Sequence, residues 1–152
     1  MWYKAALLLV LAWFLPADVA LVMAAEENQT AVIIPRGSTP PDLSHDDLAL
    51  IYKRKKRIMG GLHAQPVNLP VNNPSRQFFS QKILHHSPEE LEDYWRDMYF
   101  NGVLPPYVLA SEEAVIRFVA ATPGAIGYVP KCLADHRVTV VILLDGGPAC
   151  PK

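Results

Sequence analysis

The chain has 152 residues, 14 Lys and Arg against 15 Asp and Glu, and a formal net charge of −1. That length suits a single domain with one modest core. Nothing in the near-neutral total points to a nucleic-acid partner, and none is expected.

The opening Met-Trp-Tyr-Lys is followed by an unbroken apolar run from Ala5 to Leu15. Eleven residues of helix span about 16 Å, roughly half of a bilayer's ~30 Å hydrocarbon core. Pro16 and Asp18 interrupt the run, and Val22-Met23-Ala24-Ala25 supplies small residues where a signal peptidase reads them. Residues 1–25 are therefore read as a signal peptide and residues 26–152 as the exported domain. The alternative is an uncleaved anchor reaching Ala25, which would place the Asp18 charge in lipid. No cysteine lies near the leader, so a lipoprotein anchor is not expected, and the domain is expected in the periplasm without embedding in the membrane.

Ala31-Val32-Ile33-Ile34 reads as a buried strand, stopped by Pro35 and the turn-forming run to Pro41. Ser44 and Asp47 have capping-box spacing, with Leu43 and Leu48 placed as a hydrophobic staple. Leu48, Ile51 and Tyr52 line one face of the helix so begun. The basic run Lys53–Arg57 suits its C-terminal end. A solvated helix end and a contact to anionic lipid or another polyanion are both readings of that run.

His63 to Leu69 is expected as a second strand, and Ser75 as the cap of a helix carrying Phe78, Phe79 and Ile83. Ser87 and Glu90 form another capping box. Leu91, Tyr94, Trp95 and Met98 then recur at helical spacing and predict a buried stripe. Ser111 opens a further helix with Val115, Phe118, Val119 and Thr122 on one face. Ala125–Val129 and Arg137–Leu144 read as strands. Strands separated by helices give an α/β fold with a largely parallel sheet.

Cys132 and Cys150 are expected to form a disulfide, because an isolated pair in an oxidising compartment is more often a bridge than a metal site. Five histidines lie on different elements, and His85-His86 are adjacent, so no metal site and no cofactor are expected. Neither a nucleophile elbow, a phosphate-binding Gly-rich loop with Lys, nor a zinc motif occurs, so no catalytic residues are assigned. The sharpest local candidate is the turn Asn72–Arg76, where free helix N–H groups, an Asn donor and an Arg could cradle an anion. The plain alternative is that Ser75 only caps its helix and Arg76 is solvated.

From Leu43 to Val129 the chain resembles the second lobe of the periplasmic phosphate-binding proteins of ABC transporters, and short bacterial proteins similar to them. The resemblance rests on an ordered set of pieces. They are Leu-Ser-X-Asp-Asp-Leu-Ala-X-Ile-Tyr at 43–52, Pro66-Val67-Asn68, Ser75-Arg76-Gln77-Phe78-Phe79, Tyr94-Trp95, Phe100-Asn101-Gly102, Pro105-Pro106 and Thr122–Val129. It implies a single lobe of a type 2 periplasmic binding protein-like fold, with helices flanking the sheet. In such proteins phosphate sits between two lobes, held by an Arg and by a Ser-Gly-Thr turn at a helix N-terminus. Laid on this chain, the turn falls on Asn73-Pro74-Ser75 with Arg76 next, and the upstream Arg position falls on Leu69. Pro74 has no N–H to donate, and residues 26–42 are too few for a first lobe.

The implied function is that of an exported solute-binding-like protein holding phosphate or another oxyanion at Asn73, Ser75 and Arg76, with an ABC permease as partner. The alternative is a degenerate single-lobe interaction protein that docks another envelope protein and holds no small-molecule ligand.

Overall fold

In the computed structural model, which describes residues 28–151, the Ala31–Ile34 run forms the centre of β1 (Gln29–Pro35). The signal-peptide segment lies outside the described residues. Thr30 through Pro35 are all buried, as a continuous apolar run predicts for a strand covered on both faces. β1 pairs antiparallel with β6 (Ala125–Pro130) on one side and with β7 (Val138–Asp145) on the other. On its far side β6 pairs in parallel with β4 (Gln65–Asn68), which pairs in parallel with the edge strand β5 (Tyr107–Val108). The five-stranded order is β5-β4-β6-β1-β7. Four strands therefore run one way and β1 runs against them.

The expected strand from His63 to Leu69 is divided. Its start belongs to a ribbon of β2 (Ile58–Met59) and β3 (Leu62–His63), and β4 begins at Gln65. Gly60 and Gly61 join the ribbon with φ of 55° and 80°, the pair of positive values that a tight two-residue hairpin needs.

Among the described residues, four α-helices flank the sheet. α1 (His45–Tyr52) starts from the expected capping box, with Ser44 and Asp47 bonded in both directions. Leu48, Ile51 and Tyr52 face the core. α2 (Pro74–Phe79) runs on into a π-helical turn, Ser80–Leu84, which ends at His85 in the left-handed region. Ser87 and Glu90 bond in both directions, but in a turn ahead of α3 (Glu92–Phe100), whose N-cap is Leu91 and not the expected Ser87. α4 (Glu112–Ala121) starts at Ser111, whose hydroxyl accepts from the Ala114 N–H.

Alternation along β6 sorts the helices onto two faces. Tyr128 stacks on Phe79 of α2 and lies near Tyr52 of α1. Gly127 faces α4 instead. A Cβ there would stand 2.6 Å from Val115 Cγ1 and 3.1 Å from Val119 Cγ2, so only glycine lets α4 approach this closely.

The Leu91, Tyr94, Trp95, Met98 stripe is less covered than its spacing predicts. Leu91 is buried, whereas the three residues within α3 are half-buried. Helical spacing identifies which face is apolar, not how much protein lies over it. The C-terminal tail is tied down by the expected Cys132–Cys150 disulfide, with Cα atoms 6.2 Å apart.

Candidate functional site

The turn between β4 and α2 is organised by Asn73. Proline is favoured at the first helical position because its fixed φ suits the helix and its missing N–H would find no helical partner there. With Pro74 in that place, the cap falls one residue earlier. Asn73 accordingly has extended backbone, and its Oδ1 accepts from the N–H groups of Ser75 (2.8 Å) and Arg76 (3.4 Å). Its Nδ2 donates to Glu112 Oε1 at 2.9 Å, joining the starts of α2 and α4. The expectation that Ser75 caps this helix is thus corrected. Ser75 lies inside the first turn, 1% exposed, with no hydrogen-bond partner for its hydroxyl among the described residues.

Arg76 is not solvated either. It is 6% exposed, and neither Nε nor Nη1 has a hydrogen-bond partner among the described residues. No carboxylate among them forms an ion pair with it. Buried polar groups are nearly always paired, and burying an uncompensated charge is costly. Four residues on, and so on the same helix face, the buried Ser80 hydroxyl is also unpartnered. Ser80 begins the π-helical turn, a departure from regular helix that recurs at functional sites.

An aromatic stack borders this cluster. Phe79 and Tyr128 lie parallel, 4.0 Å between centroids, and Tyr52 tilts against Phe79 at 4.6 Å. The Tyr128 hydroxyl donates to Asn68 Oδ1 (3.1 Å) and accepts from the Leu69 N–H (3.4 Å). Burial pushes that hydroxyl's pKa up to about 12, and the charge of Arg76 pulls the other way. Tyr52 is raised well above the ordinary tyrosine value, first by burial and then by Tyr128, again opposed by Arg76. Both phenols therefore lie in the field of the Arg76 guanidinium, at the carboxyl end of β4, where open α/β sheets place their ligands.

The three residues expected at the site are thus gathered in one turn, but they are not displayed alike. Arg76 and Ser75 offer unpartnered donors from inside. Asn73 has both ends of its amide engaged, and its partner Glu112 adds a carboxylate beside the turn. Leu69, at the position where the resemblance places an Arg, is fully buried. Sequence reasoning did not reach Glu112, Tyr128, Asn68 or Ser80. Glu112 reads in sequence only as a favourable first-turn acid. The five histidines stay dispersed, and no group of three or more potential metal ligands occurs among the described residues.

No family model and no curated protein matches the chain. Solved structures do. One, from Clostridium perfringens, is described as a candidate phosphate ABC transporter substrate-binding protein with bound phosphate. It aligns over 75% of this chain and 44% of its own, with a TM-score of 0.61 and 19% identity. An ABC-type phosphate transport receptor from Vibrio cholerae aligns over 75% of this chain and 45% of its own, with a TM-score of 0.60 and 16% identity. The chain shares its fold, a mostly parallel sheet flanked by helices, with part of these two substrate-binding structures. The chain spans less than half the length of either structure. No helix among the described residues is long and apolar enough to cross a membrane.

Proposed function

We propose that this chain is an exported solute-binding-like lobe that takes phosphate or another oxyanion at the Asn73–Arg76 turn, with a second protein covering the ligand. Residues 1–25 would be removed on export, leaving residues 26–152 as the periplasmic domain, and an ABC permease is the partner this reading favours. The observation that carries it is Arg76, a buried guanidinium whose Nε and Nη1 have no partner among the described residues, beside the equally unpartnered Ser75 hydroxyl. A guanidinium fork and a hydroxyl are the donor types that bind phosphate oxygens. For the anion to enter, the Asn73 amide must release the Ser75 and Arg76 N–H groups. A phosphate binding there would gain those two N–H donors at the positive end of the helix.

Calorimetric titration of residues 26–152 with phosphate tests this. Heat of binding is expected, and Arg76→Lys, which keeps the charge but loses the fork, should weaken it by about tenfold or more. Absence of heat at millimolar phosphate would contradict the reading.

A second reading has its own observation. Asn73 is saturated, the Glu112 carboxylate lies beside the turn, Pro74 lacks an N–H, and Leu69 gives no charge. These favour a lobe that has lost its ligand and kept the surface that docks another envelope protein. In that case phosphate would have no effect, and site-directed crosslinking from the Asn73 turn in intact cells would capture a protein neighbour.

A further inference from the structure

A groove of about 730 Å³ begins beside Gln65 and Pro66 at the start of β4 and runs along β5, and it shares no lining residue with the Asn73 turn. One wall is basic, carrying Arg54, Arg57 and His63, and no carboxylate lines the groove. The other wall runs from Gly102 to Val108 and is apolar. Arg54 uses one long hydrogen bond, Nη1 to the Ala64 carbonyl at 3.5 Å. Neither arginine has a carboxylate partner among the described residues, whereas neighbouring Lys56 is paired with Asp47 at 2.6 Å.

The apolar wall is unusually exposed. Tyr107 is 69% accessible, Leu104 and Val108 more than half. Tyr99 and Phe100, at the end of α3, extend the same segment, Phe100 with 80% exposure. A monomer seldom leaves large apolar side chains clustered in this way without a partner for them. The strand concerned is also a sheet edge, since β5 pairs only with β4. The Leu109 N–H reaches inward to the Asn68 carbonyl. By the two-residue alternation of a strand, the N–H and C=O of Val108 therefore point away from the sheet.

We propose that this groove binds an extended acidic segment of a partner protein, laid along the free edge of β5. The two arginines would pair with its carboxylates, and Leu104, Tyr107 and Val108 would take alternate apolar side chains, as in strand addition. The charge of the groove selects an acidic partner over a basic one. Its apolar ledge continues past the cavity to Phe100, which fits a peptide better than a small anion. Self-pairing is disfavoured, because a two-fold contact across β5 would bring the same basic walls toward each other. The site is separate from the Asn73 turn and does not depend on an oxyanion there.

The test is fluorescence anisotropy with a labelled Ser-Glu-Leu-Glu-Val-Glu-Ile-Glu-Ser peptide, beside a control with Lys in place of every Glu. The acidic peptide should bind, the basic one should not, and added salt should weaken the complex. The double variant Arg54→Glu with Arg57→Glu should lose at least about tenfold in affinity, the size expected when attraction becomes repulsion at an interface. Arg57 is exposed, so Arg57→Glu alone serves as a second variant and should fold normally by circular dichroism. Inorganic phosphate should not compete, and Arg76→Lys should bind the peptide unchanged. Equal binding of both peptides, an unaltered affinity in the charge-reversed variants, or displacement by millimolar phosphate would each overturn the proposal. So would a dimer in sedimentation that the variants disperse while the acidic peptide stays unbound.

Discussion

Two arginines in this molecule receive opposite treatment. Arg137 lies at the surface, and its guanidinium is chelated by Glu113, at 2.9 Å to each carboxylate oxygen, and by Asp135, at 2.7–3.0 Å. Its hydrogen bonds, with its charge as a smaller contribution, hold both carboxyls down to about 2. Arg76 lies in the core, makes no ion pair among the described residues and has two unpartnered donor atoms. The same side chain thus has a complete set of acceptors where it joins α4 to the start of β7, and an incomplete one at the carboxyl end of β4. The proposed anion site rests on those unpartnered donors of Arg76.

The contrast can be broken most severely through the stack beside Arg76. Phe79→Ala removes the ring that lies between Tyr52 and Tyr128, and should lower the unfolding free energy by about 3–5 kcal/mol. Urea denaturation reads this directly. Arg76→Met should do the reverse. Replacing an uncompensated buried charge with an apolar chain of similar length is expected to raise stability by about 1–4 kcal/mol, while phosphate binding disappears. Arg137→Met should instead weaken the fold slightly, and equal effects at both positions would erase the distinction.

Glu112→Gln comes next. It keeps an acceptor for Asn73 but removes a negative charge near the turn, and phosphate affinity should rise about three- to tenfold, or roughly 1 kcal/mol at the dielectric of a protein surface. The smallest effect is acid sensitivity. The carboxyls of Glu113 and Asp135 are depressed from ordinary values of 4.5 and 3.8 to about 2. The stability they contribute is complete above those ordinary values and is lost as pH falls toward 2. Arg137→Gln should flatten the dependence of stability on pH across that window, whereas Arg76→Met should leave it unchanged.

Much of this arrangement can be read in the chain itself. The helix faces follow from spacing, the α1 capping box from Ser44 and Asp47, and the disulfide from two isolated cysteines. The cap at Asn73 was also legible, because proline favours the first helical position and Pro74 therefore moves the cap off Ser75. Arg76 shares its helix face with Phe79 and Ile83, at i, i+3 and i+7, so its burial was implied by the same periodicity. A charged residue within an apolar stripe is easily assigned to solvent, and here that assignment fails. The reversed direction of β1 is different, since a run of apolar residues carries no sign of which way its strand runs. The Asn73–Glu112 bond joins residues 39 apart, and nothing local announces it. The half-covered stripe of α3 shows the same boundary, since periodicity identifies a face and tertiary packing decides its depth.

The donors of Arg76 are proposed to serve an anion. Isothermal titration of residues 26–152 with phosphate, alongside Arg76→Met, addresses that most directly. The predicted result is a binding heat in the native protein with a dissociation constant at or below about 1 mM, near −4 kcal/mol, and none in the variant. A native protein silent at that concentration, or a variant that binds equally well, would contradict it.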